Sequence, residues 1–141
     1  MATPIHILLA EDSPGDANLA RETLENSKIL VDISVVVDGA QALDFLYRRP
    51  PYENVARPDL ILLDLSLPKI NGREVMTQIQ GDEDLRSIPV VVLSSSDSEQ
   101  DISKSYELGA NCYVNKPTGI EAFKSIVRSV ENFWFTVVRL P

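Results

Sequence analysis

The sequence predicts an α/β protein built on a doubly wound, five-stranded parallel sheet with helices on both faces, a three-layer architecture. Three observations predict it. Short apolar runs alternate five times with stretches of helical periodicity along 141 residues, with no repeat and no low-complexity linker. Leu60 to Leu63 is an unbroken apolar run, the pattern of a strand covered on both faces. Polar residues follow the ends of the strands, and one of them, Asp64, is a lone acid that closes the Leu60–Leu63 run. Right-handed crossovers restrict the strand orders, and 2-1-3-4-5 is the order this fold class implies.

The first strand is read as Ile5 to Ala10, running directly into Glu11-Asp12. Ser13-Pro14-Gly15-Asp16 then reads as a helix start: Ser13 can cap, Pro14 suits the first helical position, and Asp16 lies three residues after the cap. Leu19, Ala20, Thr23 and Leu24 supply the expected inward stripe. Val31 to Val37, rich in β-branched residues, is the second strand. Asp38-Gly39 turns the chain, and Ala42, Leu43, Leu46 and Tyr47 mark the second helix. Pro50-Pro51 cannot continue a helix, so Arg48 to Pro58 is read as a surface connection of unusual length.

After the third strand, Pro68 and Asn71-Gly72 mark a loop, and Val75, Met76 and Ile79 recur at helical spacing. The charged stretch Gly81 to Arg86 reads as solvated surface. Pro89 to Leu93 is the fourth strand, followed by Ser94-Ser95-Ser96. A helix from about Ser98 to Leu108 carries Ile102 and Tyr106 on one face and stops at Gly109. Asn111 to Val114 is the fifth strand, ended by Lys116-Pro117. The last helix begins near Gly119, with Ile120, Phe123, Ile126, Val127, Val130 and Trp134 at helical spacing.

Composition narrows the class. The length suits one domain with one core. No apolar run approaches a membrane span, and the amino terminus lacks a basic n-region, so a soluble cytoplasmic protein is expected. Cys112 is the only cysteine; it excludes an internal disulfide and reads as a packed thiol. A formal net charge of −8 argues against non-specific nucleic-acid binding and suits a protein that binds a cation.

All strands of a parallel sheet point their carboxyl ends the same way, so the residues just past those ends gather at one rim. That rule brings together Glu11, Asp12, Asp64, Ser94, Ser95 and Lys116. Carboxylates held together repel: two unit charges ~4 Å apart cost about 4 kcal/mol at an effective dielectric near 20. A hard divalent cation relieves the repulsion, and carboxylates with several waters are what Mg²⁺ prefers. A cation and an ammonium around one carboxylate suit a phosphoryl group on that carboxylate, because phosphoryl transfer needs positioning and charge neutralisation above all.

With these residues in place the chain resembles a response-regulator receiver domain, the flavodoxin-like fold of the chemotaxis protein CheY, which is itself a standard example of this strand order. The matching residues are Glu11-Asp12, Asp64 with Pro68 and Gly72, Ser94, Tyr113 and Lys116-Pro117. The resemblance implies that Asp64 is the phosphoacceptor and that Glu11, Asp12, Asp64 and the Ser66 carbonyl hold Mg²⁺. It implies that Ser94 and Lys116 contact the phosphoryl group, that Ser94 and Tyr113 form a two-state switch, and that the Lys116-Pro117 bond is cis. Glu11 stands where Asp is frequent, and Ser66 and Ser96 occupy positions that tune phosphate lifetime in the family.

The Arg48–Pro58 connection and the residues from Asn132 to Pro141 resemble the receivers that serve phytochrome histidine kinases. A receiver over residues 1–131 with an extension of its last helix over 132–141 is therefore expected. Phe133, Trp134 and Phe135 cannot all face one helix's own core, since consecutive helical residues point in different directions. They are expected to form a homodimer interface with Val138 and Leu140. The expected function is a single-domain response regulator that takes a phosphoryl group from a histidine kinase, a phytochrome by resemblance. Exchange with a histidine phosphotransfer protein is a further expected step. It is no enzyme beyond catalysing its own Mg²⁺-dependent phosphorylation and dephosphorylation.

Three rival readings are weaker. A haloacid-dehalogenase-type phosphatase needs a second Asp two residues after the nucleophile, where Ser66 stands. An unphosphorylated pseudo-receiver acting as a dimeric interaction module would not require the intact acidic set. A nucleotide- or flavin-binding module lacks its glycine pattern. His6, between Ile5 and Ile7, reads as an ordinary strand residue and not as a phosphodonor.

Overall fold

The computed structural model describes residues 4–26, 30–94, 99–110 and 112–115. Its elements run β1 (Ile5–Ala10), α1 (Pro14–Glu25), β2 (Val31–Val36), α2 (Gly39–Leu46), β3 (Leu60–Asp64), α3 (Gly72–Gln80), β4 (Val90–Ser94), α4 (Glu99–Glu107) and β5 (Cys112–Asn115). The strands form one parallel sheet in the order β2-β1-β3-β4-β5, as expected. Lys116, Pro117, Ser95, Ser96 and the expected dimer residues Phe133, Trp134, Phe135, Val138 and Leu140 lie outside the described residues, as does the expected last helix.

Period-two alternation sorts the central strands onto two cores. Leu8, Ala10, Ile61, Leu63, Val90 and Val92 join Ala42, Leu43 and Leu46 of α2 and Val75, Met76 and Ile79 of α3. Ile5, Ile7, Leu9, Leu60, Leu62, Val91 and Leu93 pack on the other face with Ala17, Ala20 and Leu24 of α1. Both sets are apolar because both faces are covered, which is why β3 and β4 read as continuous hydrophobic runs.

Capping sets where the helices start. Ser13 accepts from the Asp16 amide, and Pro14 opens α1. Asp38 caps α2 by accepting from the Gln41 amide at 2.7 Å, while Gln41 Oε1 accepts from Val37 N–H at 3.0 Å. So Asp38-Gly39 is a helix entry where the sequence suggested a turn, and β2 ends at Val36. Asn71 caps α3 through the Glu74 amide at 3.0 Å.

Four further expectations are corrected. Leu19 points outward from α1 at 38% exposure; Ala17 takes its place in the buried stripe, three residues before Ala20 and seven before Leu24. Tyr106 is exposed on α4, whose buried side chain among the described residues is Ser105, three residues after Ile102. Gly81 to Arg86 is not wholly solvated: Leu85 is 1% exposed and closes the α2/α3-side core. Finally β4 and β5 each lie one residue later than expected, at Val90–Ser94 and Cys112–Asn115. Among the described residues no helix is long and apolar enough to cross a membrane.

Candidate functional site

The site is assembled by strand register. Ala10 pairs with Leu63 and Asp64 pairs with Leu93, so the carboxyl ends of β1, β3 and β4 are each offset by one residue from the neighbouring strand. Glu11 and Asp12 leave β1 at the level where Asp64 closes β3. Ligand oxygens of Glu11, Asp12 and Asp64 all lie within 4.8 Å of one another. Glu11 and Asp64 are buried and Asp12 is exposed, so the cluster has two fixed walls and one side open to solvent.

Local bonds hold these carboxylates in place. Glu11 Oε1 accepts from the Ser13 amide at 3.2 Å, which ties it to the entry of α1. Asp64 Oδ1 accepts from the Ser66 amide at 3.0 Å, a turn in which the side chain bonds the backbone two residues on. Gly72 closes the loop that follows: its amide donates to the Leu65 carbonyl at 3.1 Å. A Cβ on Gly72 would fall 2.5 Å from the Asp64 carbonyl oxygen and 2.7 Å from Leu65 Cα. Glycine at this position lets the start of α3 lie directly against the strand end that carries Asp64.

The same loop is held from the side of α2. Gly39 donates to the Pro68 carbonyl at 3.2 Å, and a Cβ there would meet the Ile70 carbonyl oxygen at 1.7 Å. Lys69 has φ +67°, a left-handed conformation uncommon outside glycine, and its Nζ lies 3.6 Å from Asp38 Oδ2. Asp38 therefore caps α2 and anchors the β3–α3 loop at once, a role the sequence reading missed. The signal was present in the Asp-Gly-x-Gln capping pattern.

Ser94 ends β4 and is 3% exposed; it pairs with Asn115 in β5. Tyr113 is part-buried and packs against the α2/α3-side core, paired with Val92. Ser66 is exposed beside Asp64. Of the expected site residues, then, the structure brings Glu11, Asp12, Asp64 and Ser66 together, with Ser94 at the end of the strand next to Asp64's. His6 lies at the far end of β1, its Nδ1 3.3 Å from Asp32 Oδ2 of the adjacent strand, as an ordinary strand residue.

The donor set decides which cation fits. All three groups offer carboxylate oxygen, without thiolate or imidazole, and hard divalent ions such as Mg²⁺ or Mn²⁺ prefer oxygen donors with room for water. The open side at Asp12 leaves that room. The cluster fits a divalent cation.

Known proteins agree with this geometry. The family model of the response regulator receiver domain matches residues 7–128. The response regulator Rcp1 of Synechocystis sp. is 46% identical over 138 residues, covering 98% of this chain and 94% of that protein. The phosphorylated cyanobacterial phytochrome response regulator RcpA superposes with a TM-score of 0.86 at 44% identity, covering 99% of both chains. The Mn²⁺-bound form of Rcp1 superposes with a TM-score of 0.85 at 46% identity, covering 98% of this chain and 99% of that one. A sheet of order 2-1-3-4-5 with three acids gathered at its carboxyl rim, matched by the family model over most of its length, places the chain in the response regulator receiver domain family.

Proposed function

We propose that the chain receives a phosphoryl group on Asp64 from the phosphohistidine of a phytochrome histidine kinase and signals through a resulting change of surface. The observation that carries it is the buried Asp64 carboxylate at the end of β3, held within 4.8 Å of the Glu11 and Asp12 oxygens. In the transfer an Asp64 oxygen attacks phosphorus, an O–P bond forms, and the P–N bond to the donor histidine breaks. Later attack by water returns the free carboxylate and inorganic phosphate.

The residues divide the work. The Ser66 amide donates to Asp64 Oδ1 at 3.0 Å and holds the carboxylate in one rotamer at the end of β3. The Ser94 hydroxyl and the Lys116 ammonium would contact the phosphoryl oxygens, as in the family they resemble. Glu11, Asp12, Asp64 and the Ser66 carbonyl would hold Mg²⁺, which when bound neutralises charge on the transferring group. Ser94 would then draw toward the phosphoryl group and Tyr113 would follow, a local charge change biasing a two-state element.

Support for the phytochrome link comes from the relatives. RcpA is a phytochrome response regulator by its own description and matches this chain end to end. Two-fold association through Phe133, Trp134, Phe135, Val138 and Leu140, onward exchange with a histidine phosphotransfer protein, and a cytoplasmic location belong to the same proposal. Sedimentation of a chain truncated after Glu131 tests the first: a dimer that persists removes the tail from the interface. The phosphoryl step is tested with labelled acetyl phosphate and Mg²⁺. Wild type should label and Asp64→Asn should not; equal labelling of the two would overturn the assignment.

A further inference from the structure

Helices α3 and α4 are joined at both ends, by joints of different kinds. At the rim end Arg73 Nη2, in the first turn of α3, donates to Asp101 Oδ1 in the first turn of α4. The two side chains are 43% and 31% exposed, so the pair is only partly open to solvent screening. At the far end Gly109 follows α4 with φ +102°, and a Cβ there would lie 2.3 Å from the Gln80 side-chain nitrogen at the end of α3. One joint is ionic and releasable. The other is a close approach held by a backbone conformation that other residues rarely adopt.

The position of Arg73 calls for an explanation of this kind. A cation in the first turn of a helix faces the positive end of the helix dipole, an unfavourable place. Asp101, conversely, sits favourably at the start of α4 and supplies the missing partner. Each member of the pair also lies in the first turn of a helix that follows a site strand. Arg73 follows Gly72, which rests on the Asp64 carbonyl, and Asp101 is in the first turn of the helix that comes after Ser94. Ser105 Oγ, wholly buried, donates to the Asp101 carbonyl at 2.8 Å, which makes the first turn of α4 move with the helix body.

We infer that Arg73 and Asp101 form a clamp that sets the resting position of α4 beside the phosphorylation rim, with Gly109 as the pivot. Both are positioning residues. When the ion pair opens, the first turns of α4 separate from α3 while the far end stays seated on Gln80. The consequence for signalling rests on the function proposed above: a change that begins at Asp64 and Ser94 has to work against this clamp, so weakening it favours the phosphorylated conformation.

Amide hydrogen exchange on the full chain tests the clamp without any phosphoryl donor. In Arg73→Ala and in Asp101→Ala, exchange in the first turns of α4 should rise roughly three- to fivefold, the range expected for a part-exposed ion pair. The double variant should rise no further than either single one, and the charge swap R73D/D101R should restore protection. Unchanged α4 exchange, additive single effects, or a rise spread evenly over β1 and β3 would each overturn the clamp. A second readout is affinity for beryllofluoride with Mg²⁺, which should tighten by a similar factor in both single variants. If exchange rises and this affinity does not, the signalling half is wrong. Failure of wild type to bind beryllofluoride would instead remove the receiver mechanism and leave the clamp standing.

Discussion

Replacing Gly72 by alanine isolates the contact that fixes Asp64. The new methyl would lie 2.5 Å from the Asp64 carbonyl oxygen and 2.7 Å from Leu65 Cα, about 1 Å inside ordinary heavy-atom contact near 3.5 Å. Both neighbours are backbone, so no side-chain rotation relieves the overlap; α3 must lift away from the end of β3. Overpacking of this kind costs about 1–3 kcal/mol. The gain in helix propensity returns at most ~1 kcal/mol, leaving a net loss of up to about 2 kcal/mol, or up to roughly 6 °C in Tm for a domain of this size. Gly15→Ala is the matched control, because a Cβ there meets nothing within 4 Å. The same chemical change in α1 should raise stability by about 0.5–1 kcal/mol. Urea denaturation and acetyl-phosphate labelling should be measured on both. Labelling should slow in Gly72→Ala, as the carboxylate moves with the strand end, and stay at the wild-type rate in Gly15→Ala. Gly72→Ala with wild-type stability and wild-type labelling would refute the claim that this contact positions the acid.

Two other substitutions separate structural from electrostatic roles. Asp38→Ala removes the cap of α2 and the partner of Lys69; the cap should dominate, at about 1–2 kcal/mol, because Lys69 is largely exposed. Urea denaturation would show it, and an unchanged midpoint would deny the anchoring role. Glu11→Gln keeps an acceptor for the Ser13 amide but removes one charge from the cluster. Without metal this variant should be at least as stable as wild type, since repulsion among the acids falls. Mg²⁺ at roughly ten times its Kd should stabilise wild type by ~1.4 kcal/mol in thermal melts, and Glu11→Gln by much less. Equal stabilisation of the two would remove Glu11 from the metal site.

The fold was legible because both faces of the sheet are covered. β3 and β4 had to be apolar throughout, and such runs stand out against polar loops. The acids were legible for the complementary reason: a charge that ends a buried strand is costly unless it has work to do, so Asp64 and Glu11 were conspicuous. What escaped depends on the partner and not on the local pattern. Leu19 and Ala17 are both compatible with a helical stripe, and only the packing of α1 on β1 and β3 turns Ala17 inward. Leu85 sits in a charged segment, and its burial follows from where the end of α3 meets the sheet. Arg73 and Asp101 lie 28 residues apart, and nothing in either neighbourhood announces the other.

Charge neutralisation around one buried aspartate is what everything else here serves. After incubation with a small phosphoryl donor and Mg²⁺, borohydride reduction converts an acyl phosphate to an alcohol, and peptide mass spectrometry locates it. The modified residue should be Asp64 alone, with none in the Asp64→Asn chain. A modification elsewhere, or none at Asp64 under conditions in which Mg²⁺ demonstrably binds, would contradict the account.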